Sequence, residues 1–93
     1  MIITYSEFGR RVQQNAGGTD HGTAGLSFCV GKSVKGGLYG GYPDLTKLDG
    51  NGNMIYTTDF RSLYATVLER WLGQAATSTD ALLGSSYPRL GFL

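Results

Sequence analysis

The sequence predicts an α/β fold with a small incomplete sheet, one main amphipathic helix and long glycine-rich loops. Three observations lead there. Short β-branched and aromatic runs stand near residues 1–5, 26–30 and 54–57, the composition that suits a pleated, half-buried surface. Large apolar side chains recur with helical period between residues 59 and 72. Fifteen of the 93 residues are glycine, about twice the usual share of roughly 7%, and they follow no repeat, so tight loops must be frequent.

Each element has its own signal. Met1-Ile2-Ile3-Thr4-Tyr5 is almost continuously apolar and reads as a strand covered on both faces, as in a parallel sheet. Ser6-Glu7-Phe8-Gly9-Arg10-Arg11 leaves its carboxyl end, the place where open α/β sheets bind ligands. Residues 15–25 are rich in Gly, Thr and Asn and include Asp20-His21-Gly22; they read as a loop. Leu26–Val30 is a second short strand ended by Gly31. Residues 31–53 show little periodicity, and Asp49-Gly50-Asn51-Gly52 reads as a hairpin turn before a short strand at 54–57. The helix is the clearest element. Phe60, Leu63, Tyr64, Val67, Leu68, Trp71 and Leu72 fall at i, i+3, i+4, i+7, i+8, i+11 and i+12, a stripe expected to pack on a core. Thr58 is the expected N-cap, Asp59 suits the positive helix start, and Gly73 fits the residue past the end. A short helical turn is expected near Asp80–Leu83, and the apolar Tyr87–Leu93 end is expected to fold back on the body.

Composition excludes several classes. Lys and Arg number eight against seven Asp and Glu, a formal net charge of +1. That balance gives no electrostatic footprint for nucleic acid and no polybasic patch for a membrane. Cys29 is the one cysteine and His21 the one histidine, so neither an internal disulfide nor a four-ligand Cys/His zinc site is within reach. No run approaches the roughly 18 apolar residues of a membrane span, and the start does not read as a signal peptide.

Few motifs carry chemistry. Gly31-Lys32-Ser33 lacks the phosphate-loop glycine, since Leu26 stands there. Asp49–Phe60 fails as an EF-hand loop, with Met54 for the required Gly and Phe60 for the bidentate Glu. No GxGxxG occurs. Ser6, Asp20 and His21 make a poor nucleophile set, because a carboxylate orients its own sequence neighbour awkwardly. Asp20-His21-Gly22 is better read as part of a metal site, since carboxylate oxygen and neutral imidazole are both good divalent-metal ligands and Gly22 allows a sharp turn beside them. The blander reading of each residue is a local hydrogen bond or an exposed charge.

Four segments in order, Ser6-Glu7-Phe8-Gly9-Arg10, Gly18-Thr19-Asp20-His21-Gly22, Gly36-Gly37-Leu38-Tyr39-Gly40 and Thr58-Asp59-Phe60-Arg61-Ser62, resemble the C-terminal end of the domain-of-unknown-function 1501 family. That family is bacterial, often exported, and similar to the alkaline phosphatase and sulfatase superfamily. The resemblance implies that residues 1–93 are one partial domain, the C-terminal segment of a larger alkaline-phosphatase-like hydrolase acting on phosphate or sulfate esters. It also implies a divalent metal (zinc, calcium or magnesium) held by His21 with either Glu7 or Asp20, and Arg10 as an anion clamp. Phe8 stands where the superfamily motif carries His. The superfamily's nucleophile and early metal carboxylates lie upstream in such domains, so the chain alone is expected to be inert and not to retain a metal. The expected partner is the remainder of that domain or a second copy. The other reading is a non-catalytic binding or assembly module that pairs through an exposed sheet edge.

Overall fold

The computed structural model describes residues 1–93, which divide into two compact units, one of Met1–Lys32 with Gly41–Thr57, the other of Ser33–Gly40 with Thr58–Leu93. The first is all β. Strand β1 (Ile2–Ile3) is followed by β2 (Gly9–Asn15), β3 (Gly18–Gly22) and β4 (Cys29–Val30). They form two separate two-stranded sheets, β1 with β4 and β2 with β3, both antiparallel. The α/β class therefore holds, with the β content in two ribbons and no parallel pairing. A parallel pair needs a crossover, usually a helix; the chain between β1 and β4 instead spends its residues on a hairpin.

The β1–β4 ladder is short for a local reason. Ile2 faces Val30 and Ile3 faces Cys29. At the next position the Thr4 amide donates to the Phe28 carbonyl (2.9 Å), but the Thr4 hydroxyl, not a backbone carbonyl, accepts the Phe28 N–H (2.8 Å). The strands expected over 1–5 and 26–30 thus shrink to two residues each. Their side chains are open rather than covered on both faces: Ile2 is 69% exposed and Val30 62%. The third expected strand, 54–57, is a single antiparallel bridge between Met54 and Leu48. Between them the Asp49 carboxylate accepts N–H bonds from Asn51 and Asn53 at 2.9 Å, the hairpin turn its sequence indicates. Those backbone donors hold the Asp49 carboxyl below its ordinary range.

The second unit holds both helices, α1 (Phe60–Arg70) and α2 (Ala76–Leu83). Asp59, not Thr58, caps α1: its Oδ1 accepts the Arg61 N–H at 2.9 Å while Arg61 Nε and Nη2 close on the same carboxylate at 2.9 and 2.7 Å. This grip lowers the Asp59 carboxyl to about 2. Gly73 takes φ +74° just past the helix, the left-handed geometry that glycine adopts without a Cβ penalty. Helix α2 begins earlier than the turn expected at Asp80–Leu83, because Ala76-Thr77-Ser78-Thr79 joins it.

The side of α1 that is buried is not the apolar stripe. Ser62, Ala65 and Thr66 are the buried residues, whereas Phe60 is 63% exposed and Trp71 42%. The carboxyl-terminal tail explains the exchange. Small residues let it approach the helix, where the Thr66 hydroxyl donates to the Ser62 carbonyl (2.7 Å) and accepts the Leu90 N–H (2.8 Å). Arg70 Nη1 holds the Leu90 and Leu93 carbonyls, each at 3.1 Å. Phe92 is buried, edge-on to Tyr39, and its carbonyl accepts the Lys35 N–H at 2.7 Å. The tail folds back as its composition indicates. Arg89 completes the knot by pairing with Glu69 of α1 and Asp80 of α2. Its guanidinium lowers both carboxyls, and its own pKa is raised by them.

Two outcomes are expected. Thr66→Val leaves the Leu90 N–H without an acceptor in a buried place, a loss of about 1–3 kcal/mol in urea unfolding. Thr66→Ser, which keeps the hydroxyl, recovers most of it. On acidification, the carboxyls of Asp59, Glu69 and Asp80 have folded values below their unfolded ones, so their contribution is complete above about pH 5 and is lost as pH falls toward 2. The helical circular-dichroism midpoint should hold between pH 7 and 5 and then drop. Asp59→Asn should make that drop shallower.

Candidate functional site

The residues singled out for chemistry lie on or beside the β2–β3 ribbon, not in a loop. In this ribbon Gly9 faces Gly22, Arg10 faces His21, Gln14 faces Thr19 and Asn15 faces Gly18. Between Arg10 and Gln14 the register shifts, so Arg11, Val12 and Gln13 stand against Asp20 alone, an extended bulge that bends the ribbon. Asn15 closes the turn, its Oδ1 accepting the Gly17 N–H at 2.9 Å. Gly22 is needed for close approach rather than for a sharp turn. A Cβ there would lie 2.8 Å from the Arg10 carbonyl carbon, and one on Gly9 would lie 1.8 Å from the Ala24 carbonyl oxygen.

That register decides which side chains share a face. Directly opposed residues of an antiparallel pair project to the same side, so Arg10 and His21 are neighbours. The Phe8 ring stacks on the His21 imidazole, with centroids 3.9 Å apart and planes within 10°. Arg10 Nη1 donates to the Thr19 carbonyl at 2.9 Å. All three of these side chains are open to solvent. Asp20 belongs to the other side, because successive strand residues alternate. Its Oδ1 accepts from Asn15 Nδ2 at 3.0 Å, and it lines a shallow polar depression with Arg11, Gln13, Gln14 and Asn15. Glu7 is exposed in the bend that leads into β2. The structure thus brings His21 and Arg10 together, parts Asp20 from His21, and leaves Glu7 at the His21 end of the ribbon.

Imidazole and carboxylate are suitable donors for a divalent metal, but no three of the His, Cys, Asp and Glu side chains gather into a metal-holding group. The residues fit as part of a ligand set and not as a whole one. No helix is long and apolar enough to cross a membrane. Sequence reasoning missed the Phe8–His21 stack and the Arg10–His21 pairing. The one available signal was Asn15-Ala16-Gly17-Gly18, whose Asx and glycine content marks a hairpin turn.

Fold and site together define a small α/β chain whose polar antiparallel ribbon presents a guanidinium, an imidazole and an aromatic ring on one face. The chain matches the family model described as "Protein of unknown function (DUF1501)" over residues 1–89, and it belongs to that family. No curated protein and no solved structure matches it.

The glycine pair gives a direct test of the ribbon. Gly9→Ala forces a Cβ into the Ala24 backbone, which cannot yield as a side-chain tip would. Amide hydrogen exchange of β2 and β3 should accelerate by at least tenfold, while the α1 amides keep their protection.

Proposed function

We propose that this chain is the C-terminal part of an alkaline-phosphatase-like, metal-dependent hydrolase of phosphate or sulfate esters, inert when isolated. The observation that carries the reading is the register of the hairpin, which pairs Arg10 with His21 across the ribbon and so puts both side chains on one face. A fixed cation beside a metal-ligand type of side chain suits an anionic ester, since charge-assisted bonds to oxyanions are the strong ones. In this reading His21 and Glu7 supply part of a divalent-metal ligand set and Arg10 holds an ester oxygen. Asp20 is the weaker carboxylate candidate, because alternation turns it away from His21 and Asn15 already occupies it. The remaining ligands and the nucleophile come from residues outside these 93. The scarcity of buried apolar side chains supports a larger domain: only Ala24, Ala65 and Phe92 are buried hydrophobic residues.

One observation favours the assembly reading instead. Ile2, Tyr5, Leu26, Phe28 and Val30 are all exposed around the two-residue β1–β4 ladder, and an open ladder with apolar flanks invites a further strand.

Size-exclusion chromatography with metal analysis of the purified 93-residue chain separates the two. The hydrolase reading expects no turnover of a phosphate or sulfate monoester and no stoichiometric metal from the chain alone. When a longer family member is made, His21→Ala at the equivalent imidazole should lower both metal content and turnover at least tenfold. Unchanged metal and turnover there would refute the ligand assignment. A stable metal-free dimer of the 93-residue chain would favour assembly.

A further inference from the structure

We infer that Phe8 is a positioning residue for His21. This deepens the proposed reading and rests on it, because it concerns how the imidazole is presented. An exposed histidine on a two-stranded ribbon ordinarily samples several rotamers, and a ligand atom that must be fixed pays for that freedom in ordering entropy. The Phe8 ring removes it. With centroids 3.9 Å apart and an interplanar angle of 10°, the benzyl ring covers one face of the imidazole and leaves the ring edge, where both nitrogens lie, as the accessible chemistry.

The surroundings keep the stack in place. The Ser6 hydroxyl accepts the Phe8 N–H at 3.2 Å and donates to the Phe8 carbonyl at 2.9 Å, which holds the backbone that carries the ring. Gly9 pairs with Gly22 between them, and alternation turns that pair to the opposite face, so the Phe8–His21 side of the ribbon is left open for the stack. Arg10, across from His21, is tied to the Thr19 carbonyl, which draws one end of its guanidinium toward the turn and away from the stack. An apolar ring adjoining the imidazole also excludes water from one side, as the partners around metal-ligating histidines do when they fix ring orientation.

His21 is the one histidine of the chain, so its Hδ2 and Hε1 signals report it without ambiguity. The test uses the full 93-residue chain as wild type, Phe8→Leu and Phe8→Trp, with amide circular dichroism to confirm equal folding. In wild type the imidazole protons should lie upfield of an unstacked histidine. They should move toward the unstacked position in Phe8→Leu and stay upfield in Phe8→Trp. Added Zn2+ should perturb these protons in fast exchange, with affinity reduced on the order of tenfold in Phe8→Leu and restored in Phe8→Trp. Imidazole shifts that ignore Phe8→Leu overturn the inference, as does Zn2+ affinity equal in all three chains. If Zn2+ leaves the wild-type imidazole untouched, the metal reading of His21 fails and the inference with it, an outcome distinct from Zn2+ that binds every variant alike. Should Phe8→Leu alter the circular dichroism, Phe8→Tyr against Phe8→Met provides the same contrast of ring and no ring.

Discussion

The governing constraint is how little apolar volume is buried. Ala24, Ala65 and Phe92 are the buried hydrophobic residues, and the largest fully buried side chains are the polar Thr66 and Thr79. A fold with so small a core cannot rely on area removed from water, so directional contacts take over. In the helical unit they converge on the tail, where Thr66 bridges α1 to Leu90, Arg70 holds the last carbonyls, and Arg89 joins Glu69 to Asp80. In the β unit they are ladder bonds and the side-chain turns at Asn15 and Asp49. Polar contacts of this kind are modest in net energy but exacting in geometry. Hence one hydroxyl at Thr66 matters more than any of the exposed aromatic rings.

The same logic fixes the functional face. Because strand side chains alternate, a one-residue slip of β3 against β2 would carry His21 to the Asp20 side and break its pairing with Arg10. No buried apolar face pins that register, since Val12 is the one large apolar residue in Gly-Arg-Arg-Val-Gln-Gln-Asn of β2 and Gly-Thr-Asp-His-Gly of β3, and it is exposed. The register rests on the Asn15 turn, the close approach of Gly9 to Ala24 and of Gly22 to Arg10, and the Phe8–His21 stack. Interactions that decide where the chemistry faces are therefore also the ones that hold the ribbon.

Legibility in the sequence followed the physical origin of each element. Helix α1 is readable because apolar period, an acidic residue at its start and a terminal glycine agree; the cap falls on Asp59 where Thr58 is expected, and the extent differs from 59–72 only at the ends. Which face it buries was not readable, because the choice is made by a tail some twenty residues away that seeks small neighbours, and hydrophobicity gives the opposite answer. Helix α2 was readable only in part, since Thr and Ser are poor helix formers and its start has no side-chain cap. The β2–β3 segment has the sequence of a strand end and a loop because it carries no alternation of apolar and polar residues, the signal on which strand recognition rests. His21, Arg10 and Glu7 were legible as residue types, whereas the partnership of Phe8 with His21 needs the register, which is a tertiary fact.

The exposed apolar side chains of the helical unit leave stabilisation unused. Phe60 and Tyr64 on α1, and Trp71 and Leu72 just past its end, stay exposed to water, although burying a side chain of that size is worth about 1.5–3 kcal/mol. A surface that covered them would bind the folded chain and not the unfolded one. It would raise stability by mass action, by about 2.7 kcal/mol at a hundredfold excess over its dissociation constant. The polar knots at Thr66, Arg70 and Arg89 hold the helical unit without that burial, which is why its apolar surface can stay open while the tail remains fixed.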